Sequence, residues 1–202
     1  MKTKVLRAIT ALLIISSPSA FAQSAANGRF SIGVEGAFSA GNFTNTSNVG
    51  FGGSLRYEMP VGNNLGIMLT AGFLEFGSKT VEGDVSSIKY TNSVIPIQLG
   101  AKYYFMSQQK GFYVGVEAGV HLLTSKALGD DASGTQLFSF SGNSTAFSYD
   151  PLIGYHLDNL DFGFKYQLFT ESFTTEVGGT SYTSTSSASY LDLRIAYVFG
   201  GK

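Results

Sequence analysis

Residues 95–122, IPIQLGAKYYFMSQQKGFYVGVEAGVHL, give the clearest indication of the fold class of this chain. Apolar residues alternate with small or polar residues in its first part, 95–105, and again in its last part, 112–122. Alternation with a period of two is typical of β-strands, because successive side chains point to opposite faces. The short link 106–111 between the two parts predicts a tight turn that joins neighbouring antiparallel strands.

Six further segments show the same alternation, so the chain is predicted to contain eight strands. These segments span residues 30–38, 49–59, 65–73, 147–156, 162–169 and 191–199. Most have about the 9–11 residues that a tilted membrane strand needs. Pro151 cannot donate a ladder hydrogen bond, and we expect it to mark a bulge in the sixth strand.

The links between the predicted strands alternate in length. Tight turns follow strands two, four and six, at residues 60–64, 106–111 and 157–160. Longer links rich in Ser, Thr, Gly and Asn follow the odd-numbered strands. Short periplasmic turns and long extracellular loops are typical of bacterial outer-membrane barrels. Gly178-Gly179 and Glu82-Gly83-Asp84 have the composition of hairpin reversals, which makes their two links candidates for strand extensions above the membrane.

The apolar face of the predicted barrel is too large to point inward. A soluble barrel such as a lipocalin would enclose that face around a ligand. The eight segments carry about forty mostly large apolar residues, whereas the core of a (β/α)₈ barrel holds about twelve side chains. The opposite face is rich in Gly, Ser, Ala and Thr and fits a narrow interior. The sequence therefore predicts an all-β, eight-stranded, antiparallel up-and-down transmembrane β-barrel whose apolar side chains face lipid.

The face that points to the lumen carries ionisable side chains of both signs. Charges enclosed by lipid-embedded walls must be paired or hydrated, so we predict a structural ion-pair network that fills the lumen. Strands one and eight adjoin at closure, where the acids Glu35 and Asp192 and the base Arg194 could form an ion pair across the seam. The predicted network consists of Glu35, Arg56, Glu58, Lys102, Glu117, Asp150, Lys165, Asp192 and Arg194.

Aromatic residues cluster near the short-turn ends of the strands. Such a cluster predicts a belt at one membrane interface, where an apolar ring with a polar tip is favourable. Ordinary enrichment of aromatic residues in strands is the alternative explanation. The predicted belt consists of Tyr57, Tyr103, Phe105, Phe112, Tyr155, Phe162, Tyr197 and Phe199.

The N-terminus has the pattern of a secretory signal peptide. Lys2, Lys4 and Arg7 precede an apolar run at residues 8–15, and Ala20-Phe21-Ala22 fits the small-x-small cleavage rule. The run is far shorter than the roughly 20 residues of a membrane-spanning helix. We therefore predict a signal peptide at residues 1–22 and a barrel domain at residues 23–202, located in the cell outer membrane.

Composition and motifs exclude several other classes. The chain has no cysteine, which excludes disulfides and thiolate metal sites, and its formal net charge of −1 gives no basic surface for nucleic acid. Neither His121 nor His156 belongs to a nucleophile-elbow or metal-ligand motif. Asp130-Asp131 could bind a divalent cation, although solvated loop carboxylates are the simpler interpretation. We predict no catalytic residue, no metal and no cofactor.

The segments 95–105, 111–120 and 191–199 resemble the outer-membrane protein β-barrel domain family, that is, the small OmpX/OmpA-like barrels of Gram-negative bacteria. The resemblance implies a monomer in outer-membrane lipid that periplasmic chaperones deliver and the barrel-assembly machinery inserts. Tyr197 and Phe199 could serve as the terminal assembly signal. We expect a non-enzymatic barrel with a role in envelope integrity or in surface interaction through its loops. The alternatives are a narrow channel for small solutes and a lipid-modifying enzyme that uses His121 or His156.

Overall fold

The chain forms one closed barrel of eight antiparallel strands in sequence order. The computed structural model describes residues 28–82, 86–131, 136–177 and 180–200. The strands are β1 (Arg29–Ala40), β2 (Ser47–Pro60), β3 (Leu65–Glu82), β4 (Ser86–Met106), β5 (Lys110–Asp131), β6 (Gln136–Leu157), β7 (Leu160–Val177) and β8 (Thr180–Gly200). The predicted eight-stranded up-and-down barrel is thereby confirmed. The predicted signal peptide and the reversals at Gly83 and Gly178-Gly179 lie outside the described residues.

The barrel closes through a continuous pairing of its first and last strands. The register runs from Arg29 opposite Gly200 to Ala40 opposite Ser189. Within this closed wall every strand has two hydrogen-bonded neighbours, so the wall has none of the exposed edges of an open sheet.

The exposure of the side chains is inverted relative to a soluble protein. Phe51, Val34 and Phe147 are 69%, 67% and 63% exposed, whereas the ionisable side chains of Glu117 and Asp150 are fully buried. Exposed and buried residues alternate along the barrel part of the strands, as in the second half of β2. The wide band of apolar side chains around the outside needs a hydrocarbon environment.

The three short turns lie at one end of the barrel. The turn after β4 is a short 3₁₀ helix, Ser107–Gln109, in which Gln108 and Gln109 have positive φ angles of 65° and 53°. Asp158, in the turn after β6, also has a positive φ of 47°. No helix in the described ranges is long and apolar enough to cross a membrane.

At the opposite end, most of the links are strands rather than irregular loops. The links after β3 and β7 are strand extensions, as the sequence suggested. The same holds for the link between β5 and β6, where the sequence predicted a loop: Leu128 still pairs with Ser139, and Gly129 with Phe138. After β1 the chain instead forms a 3₁₀ helix, Gly41–Asn45.

Pro151 interrupts a ladder but forms no bulge, which corrects our expectation. It faces outward and keeps its place opposite Val116 of β5. On the β7 side, the pair Tyr149–Leu168 is followed by the pair Leu152–Lys165. The same number of unpaired residues lies between these pairs on both strands, so the register does not shift. The N–H of Leu168 donates to the Asp150 carboxylate at 3.0 Å instead. The Asp150 side chain therefore replaces one of the backbone acceptors that the ladder lacks beside the proline.

Candidate functional site: the filled lumen and the protruding sheet

The lower lumen, near the short turns, holds a compact set of ion pairs. Glu58 accepts from Arg29 at 2.6 Å and lies 3.3 Å from the Lys102 ammonium. The same Lys102 donates to Asp161 at 3.0 Å and lies 4.1 Å from the ring centre of Tyr113. Each charge thus has partners of opposite sign, as burial inside a lipid-walled barrel requires.

The turn residue Gln109 closes this end of the lumen. Its amide oxygen accepts from Arg29 at 2.6 Å, and its amide nitrogen donates to the carbonyl of Leu65 at 2.7 Å. The Tyr104 hydroxyl, beside it, donates to Glu58 at 2.7 Å. Gln109 is buried even though it belongs to a turn.

Glu117 is the centre of the middle lumen. It accepts from Arg56 at 3.0 Å, from Lys165 at 2.9 Å and from Thr70 at 2.6 Å. These partners come from β2, β7 and β3, so this one carboxylate connects β5 to three other strands across the barrel axis. Charge-assisted hydrogen bonds of this kind are about twice as strong as neutral ones.

At the seam between β1 and β8, Glu35 lies opposite Arg194. The Arg194 Nε atom is 3.7 Å from Glu35 Oε1 and donates to Ser54 at 2.8 Å. Ser54 in turn donates to Glu35 at 2.6 Å. The two strands that close the barrel are therefore also joined through their lumen side chains.

An apolar cluster fills the upper lumen. Phe43, from the 3₁₀ helix after β1, points into the barrel mouth and is 7% exposed. Its ring centre lies 4.9 Å from that of Phe76 and 5.5 Å from that of Phe169, both at edge-on angles. Tyr190 completes the group, with its ring centre 5.3 Å from that of Phe76. We call Phe43, Phe76, Phe169 and Tyr190 the aromatic plug.

The side chains around Arg56 and Tyr113 leave little space between them. A cavity beside Arg56, Tyr113 and Lys165 has a volume of about 10 Å³. That is about the space that one water molecule needs. In several places the lumen has room for no residue larger than glycine: a Cβ atom at Gly154 would collide with the Tyr113 ring.

The structure places all nine residues of the predicted network in the lumen, and all are buried. Sequence reasoning missed Arg29 and Asp161. Both continue the lumen-facing alternation of their strands by one step, Arg29 before Ser31 and Asp161 before Gly163, so extending the predicted strands would have found them. The buried neutral partners Gln98, Gln109 and Gln167 were not included in the predicted network.

The predicted belt residues point outward near the short-turn end. Phe105 lies between Tyr103 and Phe112, with ring centres 5.7 Å and 5.8 Å apart respectively. Tyr197 and Phe199 form another contact at 4.7 Å. The other members of the belt are Tyr57, Tyr155 and Phe162, all of them at least 38% exposed.

Both histidines are buried in lumen networks. His156 Nδ1 lies 3.6 Å from Asp161, and its Nε2 lies 3.4 Å from Arg29. His121 contacts Gln98 at 3.2 Å, and its ring centre lies 5.3 Å from that of Phe169. Neither imidazole is hydrogen-bonded to a hydroxyl nucleophile in the described part of the chain. A Ser-His-acid mechanism requires such a contact.

The residues with a described placement contain no group of three or more His, Asp or Glu that could hold a metal ion. The side chains of Asp130 and Asp131, which the sequence raised as a candidate cation site, are outside the described set.

Above the mouth, the barrel separates into two parts. The pairing of β6 with β7 begins at Ala146, opposite Glu171, and continues toward the short-turn end of the barrel. β2 pairs with β3 only up to Ser47 opposite Ser78. The upper parts of β3, β4, β5 and β6 therefore form a separate four-stranded sheet, which we call the protruding sheet. The upper parts of β7 and β8 form a hairpin of their own.

A closed barrel with an apolar exterior and an ion-paired interior defines a transmembrane β-barrel of the outer-membrane class. Residues 21–150 match the outer membrane protein beta-barrel domain family. The chain belongs to this family, and it is an outer-membrane protein.

Comparison with solved structures shows the same fold. The attachment invasion locus protein Ail of Yersinia pestis, in complex with the heparin analogue sucrose octasulfate, has a TM-score of 0.51 and 13% identity. That match covers 85% of this chain and 97% of Ail. A major outer membrane protein from Thermus thermophilus has a TM-score of 0.51 and 17% identity, over 85% of this chain and 99% of that one. A comparison with curated proteins found no match.

Proposed function

We propose that this protein is a non-enzymatic surface-interaction barrel that binds an extended segment of another protein along the upper part of β6. The observation that carries the proposal is the open edge of the protruding sheet at residues 136–145. These residues pair with β5 on one side and, within the described part of the chain, do not pair with β7 on the other. An open edge offers main-chain donors and acceptors to an added strand.

The side chains of this edge favour binding. Leu137, Phe138 and Phe140 are 59%, 46% and 64% exposed. The segment QLFSFSGNST contains no charged residue and no proline. Natural proteins commonly protect exposed edges with charges, prolines or covering segments. An apolar edge without such protection supports a role in recognition.

The opposite edge of the same sheet is protected. Lys79 of β3 donates to the carbonyl oxygen of Thr44 in the 3₁₀ helix. Asn48 of β2 donates to the carbonyl oxygen of Ser78 at 2.8 Å. The chain after β1 therefore covers the foot of the β3 edge, and the β6 edge is the better binding surface.

The filled lumen supports a non-conducting barrel rather than the alternative of a narrow channel. The charged network and the aromatic plug lie in series along the axis. In planar bilayers, we expect the protein to show no single-channel conductance. Discrete openings would instead favour the channel.

Export and insertion complete the proposal. Residues 1–22 act as a cleaved signal peptide, and the barrel-assembly machinery inserts the chain as a monomer into outer-membrane lipid. The barrel contributes to envelope integrity through its closed, paired wall. Because both histidines are buried, we expect His121→Ala and His156→Ala variants to leave the lipopolysaccharide profile of cells unchanged.

Peptide binding tests the main proposal. The protein in lipid nanodiscs is screened against immobilised ten-residue peptides of extended, apolar-alternating sequence. We expect bound peptides to protect the amides of residues 136–145 from hydrogen exchange. The affinity of the variant Phe138→Lys/Phe140→Lys for the peptides should fall by at least tenfold, because charged side chains on an edge strand disfavour the addition of another strand.

The matched control is Thr80→Lys, which adds a charge to the protected β3 edge and should leave binding unchanged. The proposal fails if the peptides do not bind, if they protect another strand, or if the double lysine variant binds as well as the wild type.

A further inference from the structure

The described lumen contains one more acid than base. Its buried ionisable side chains, apart from histidine, are six carboxylates and five Lys or Arg. The acids are Glu35, Glu58, Glu117, Asp150, Asp161 and Asp192, and the bases are Arg29, Arg56, Lys102, Lys165 and Arg194. With neutral histidines the lumen carries a formal charge of −1. An uncompensated charge between lipid-embedded walls is costly.

The excess negative charge lies in the upper half of the lumen. Lys165 Nζ is 2.9 Å from Glu117 but 3.7 Å from Asp192, so its charge is committed mainly to the middle lumen. Arg194 is similarly shared between Asp161 at 3.5 Å and Glu35 at 3.7 Å. Glu35 and Asp192 are therefore only partly neutralised. Asp150 forms no ion pair in the described lumen, but both of its oxygen atoms are hydrogen-bonded, to Gln98, Ser148 and the N–H of Leu168.

Two carboxylate oxygens and one hydroxyl in this region lack a hydrogen-bond partner. They are Glu35 Oε2, Asp192 Oδ1 and the Tyr190 hydroxyl oxygen, and all three atoms are buried. The other two buried side-chain atoms without a hydrogen-bond partner among the described residues are nitrogens: Arg194 Nη1, which lies 3.5 Å from Asp161, and His121 Nδ1. Buried polar groups without a partner are rare in native proteins, and each such group needs an explanation.

The register brings these three residues together on one face of two paired strands. Tyr190 and Asp192 are two residues apart on β8, so both point into the lumen. Asp192 pairs with Ala37, which places Glu35 as its diagonal neighbour on β1. The ring of Tyr190 belongs to the aromatic plug and lies above the two carboxylates.

We propose that this position binds one small monovalent cation between the carboxylates of Glu35 and Asp192, beneath the Tyr190 hydroxyl. Oxygen atoms are the preferred ligands of hard cations. A single positive charge balances the lumen, whereas a divalent ion would reverse its sign. The aromatic plug above shields the ion from bulk water and links the cation to the folded state of the barrel mouth.

Sodium is the probe for the test. The full mature protein in lipid nanodiscs is unfolded with urea in sodium chloride and in choline chloride at equal ionic strength and pH. A ligand that binds the folded state stabilises it in proportion to the logarithm of its concentration above the dissociation constant. We expect the unfolding midpoint of the wild type to rise as sodium replaces choline.

Two variants and one control locate the effect. Asp192→Asn and Glu35→Gln each remove one carboxylate charge and should both abolish the sodium response. Asp158→Asn makes the same change of charge at a 73% exposed side chain and should retain the full response. If one lumen variant does not fold, the other carries the same prediction.

Binding is also measured directly. ²³Na NMR of the wild type in nanodiscs should show line broadening that potassium or lithium relieves by competition. Equal midpoints in sodium and choline together with an unbroadened line would overturn the proposal. So would a sodium response that persists in both lumen variants. Uptake of one proton on folding without any sodium effect would assign the missing charge to a proton and would also overturn it.

Discussion

The same strands are closed in the barrel wall and open in the protruding sheet. In the wall each strand has two hydrogen-bonded neighbours, as β8 has with β7 and β1. Above Ala146, β6 keeps β5 but no longer pairs with β7. Hydrocarbon cannot satisfy a free N–H or C=O group, whereas water can. The difference shows that the environment, rather than the strand, decides where the ladder must close.

The two regions also differ in what fixes their side chains. In the barrel, charged groups such as Glu117 are fully buried and have several partners each. In the upper part of β6, both faces are exposed. Substitutions should therefore have large effects on stability in the lumen and small ones in the sheet.

The largest effect is expected from Glu117→Gln. The change removes the shared partner of Arg56 and Lys165 and leaves both cations under-compensated in the lumen. Breaking a buried ion pair from one side costs about 3–5 kcal/mol. Guanidinium unfolding in lipid vesicles measures the free energy of unfolding. A loss below about 1 kcal/mol would mean that water reaches the middle lumen and replaces the carboxylate.

The next effect is expected from Phe43→Ala. Phe43 is the one member of the aromatic plug that comes from the 3₁₀ helix rather than from a strand of the wall. Its removal should destabilise the protein by about 1.5–3 kcal/mol, the value for burial of a large apolar side chain. The same unfolding experiment measures it. Thr44→Ala, at an exposed neighbour, is the control, and equal losses in both variants would show that the 3₁₀ helix and not the ring matters.

The sequence predicted the barrel wall well, because alternation survives wherever lipid lies on one side and a narrow lumen on the other. It predicted the lumen position of all nine network residues, including Glu117 on β5. It failed at the strand ends, where strand limits are poorly marked: Arg29 is the first residue of β1 and Asp161 the second residue of β7. It could not assign the partners of Glu117 either, since Arg56 is 61 residues away and their contact depends on the stagger of the closed barrel.

The sequence did not predict the extension of β5 and β6, for a related reason. Residues 139–145 are mostly Ser, Asn, Gly and Thr, and water lies on both faces of this part of β6. Where both faces meet the same solvent, the alternation that reveals a strand is weak. Phe43 was missed because a single aromatic residue in the polar stretch GNFTN carries no periodic signal.

A smaller effect is expected from Lys110→Ala at the water-exposed rim of the barrel. Lys110 pairs with Asp158 at 3.2 Å, but their side chains are 53% and 73% exposed. Exposed ion pairs contribute about 0–1 kcal/mol, because water screens the charges and the side chains lose entropy. The measured loss should therefore lie well below that of Glu117→Gln under identical conditions. Comparable losses would contradict the view that burial sets the strength of these pairs.

The smallest effect on stability is expected from Phe140→Ser in the upper part of β6. Phe140 is 64% exposed, so its replacement removes little packing, and surface substitutions usually change stability by less than about 0.5 kcal/mol. Guanidinium unfolding of the variant beside the wild type measures the difference. A loss above about 1 kcal/mol would show that the ring packs against the chain in the folded protein, and then this part of β6 would not be a free edge. An unchanged free energy of unfolding would show that this exposed aromatic side chain does not contribute to folding. That is the behaviour expected of a residue whose role is binding.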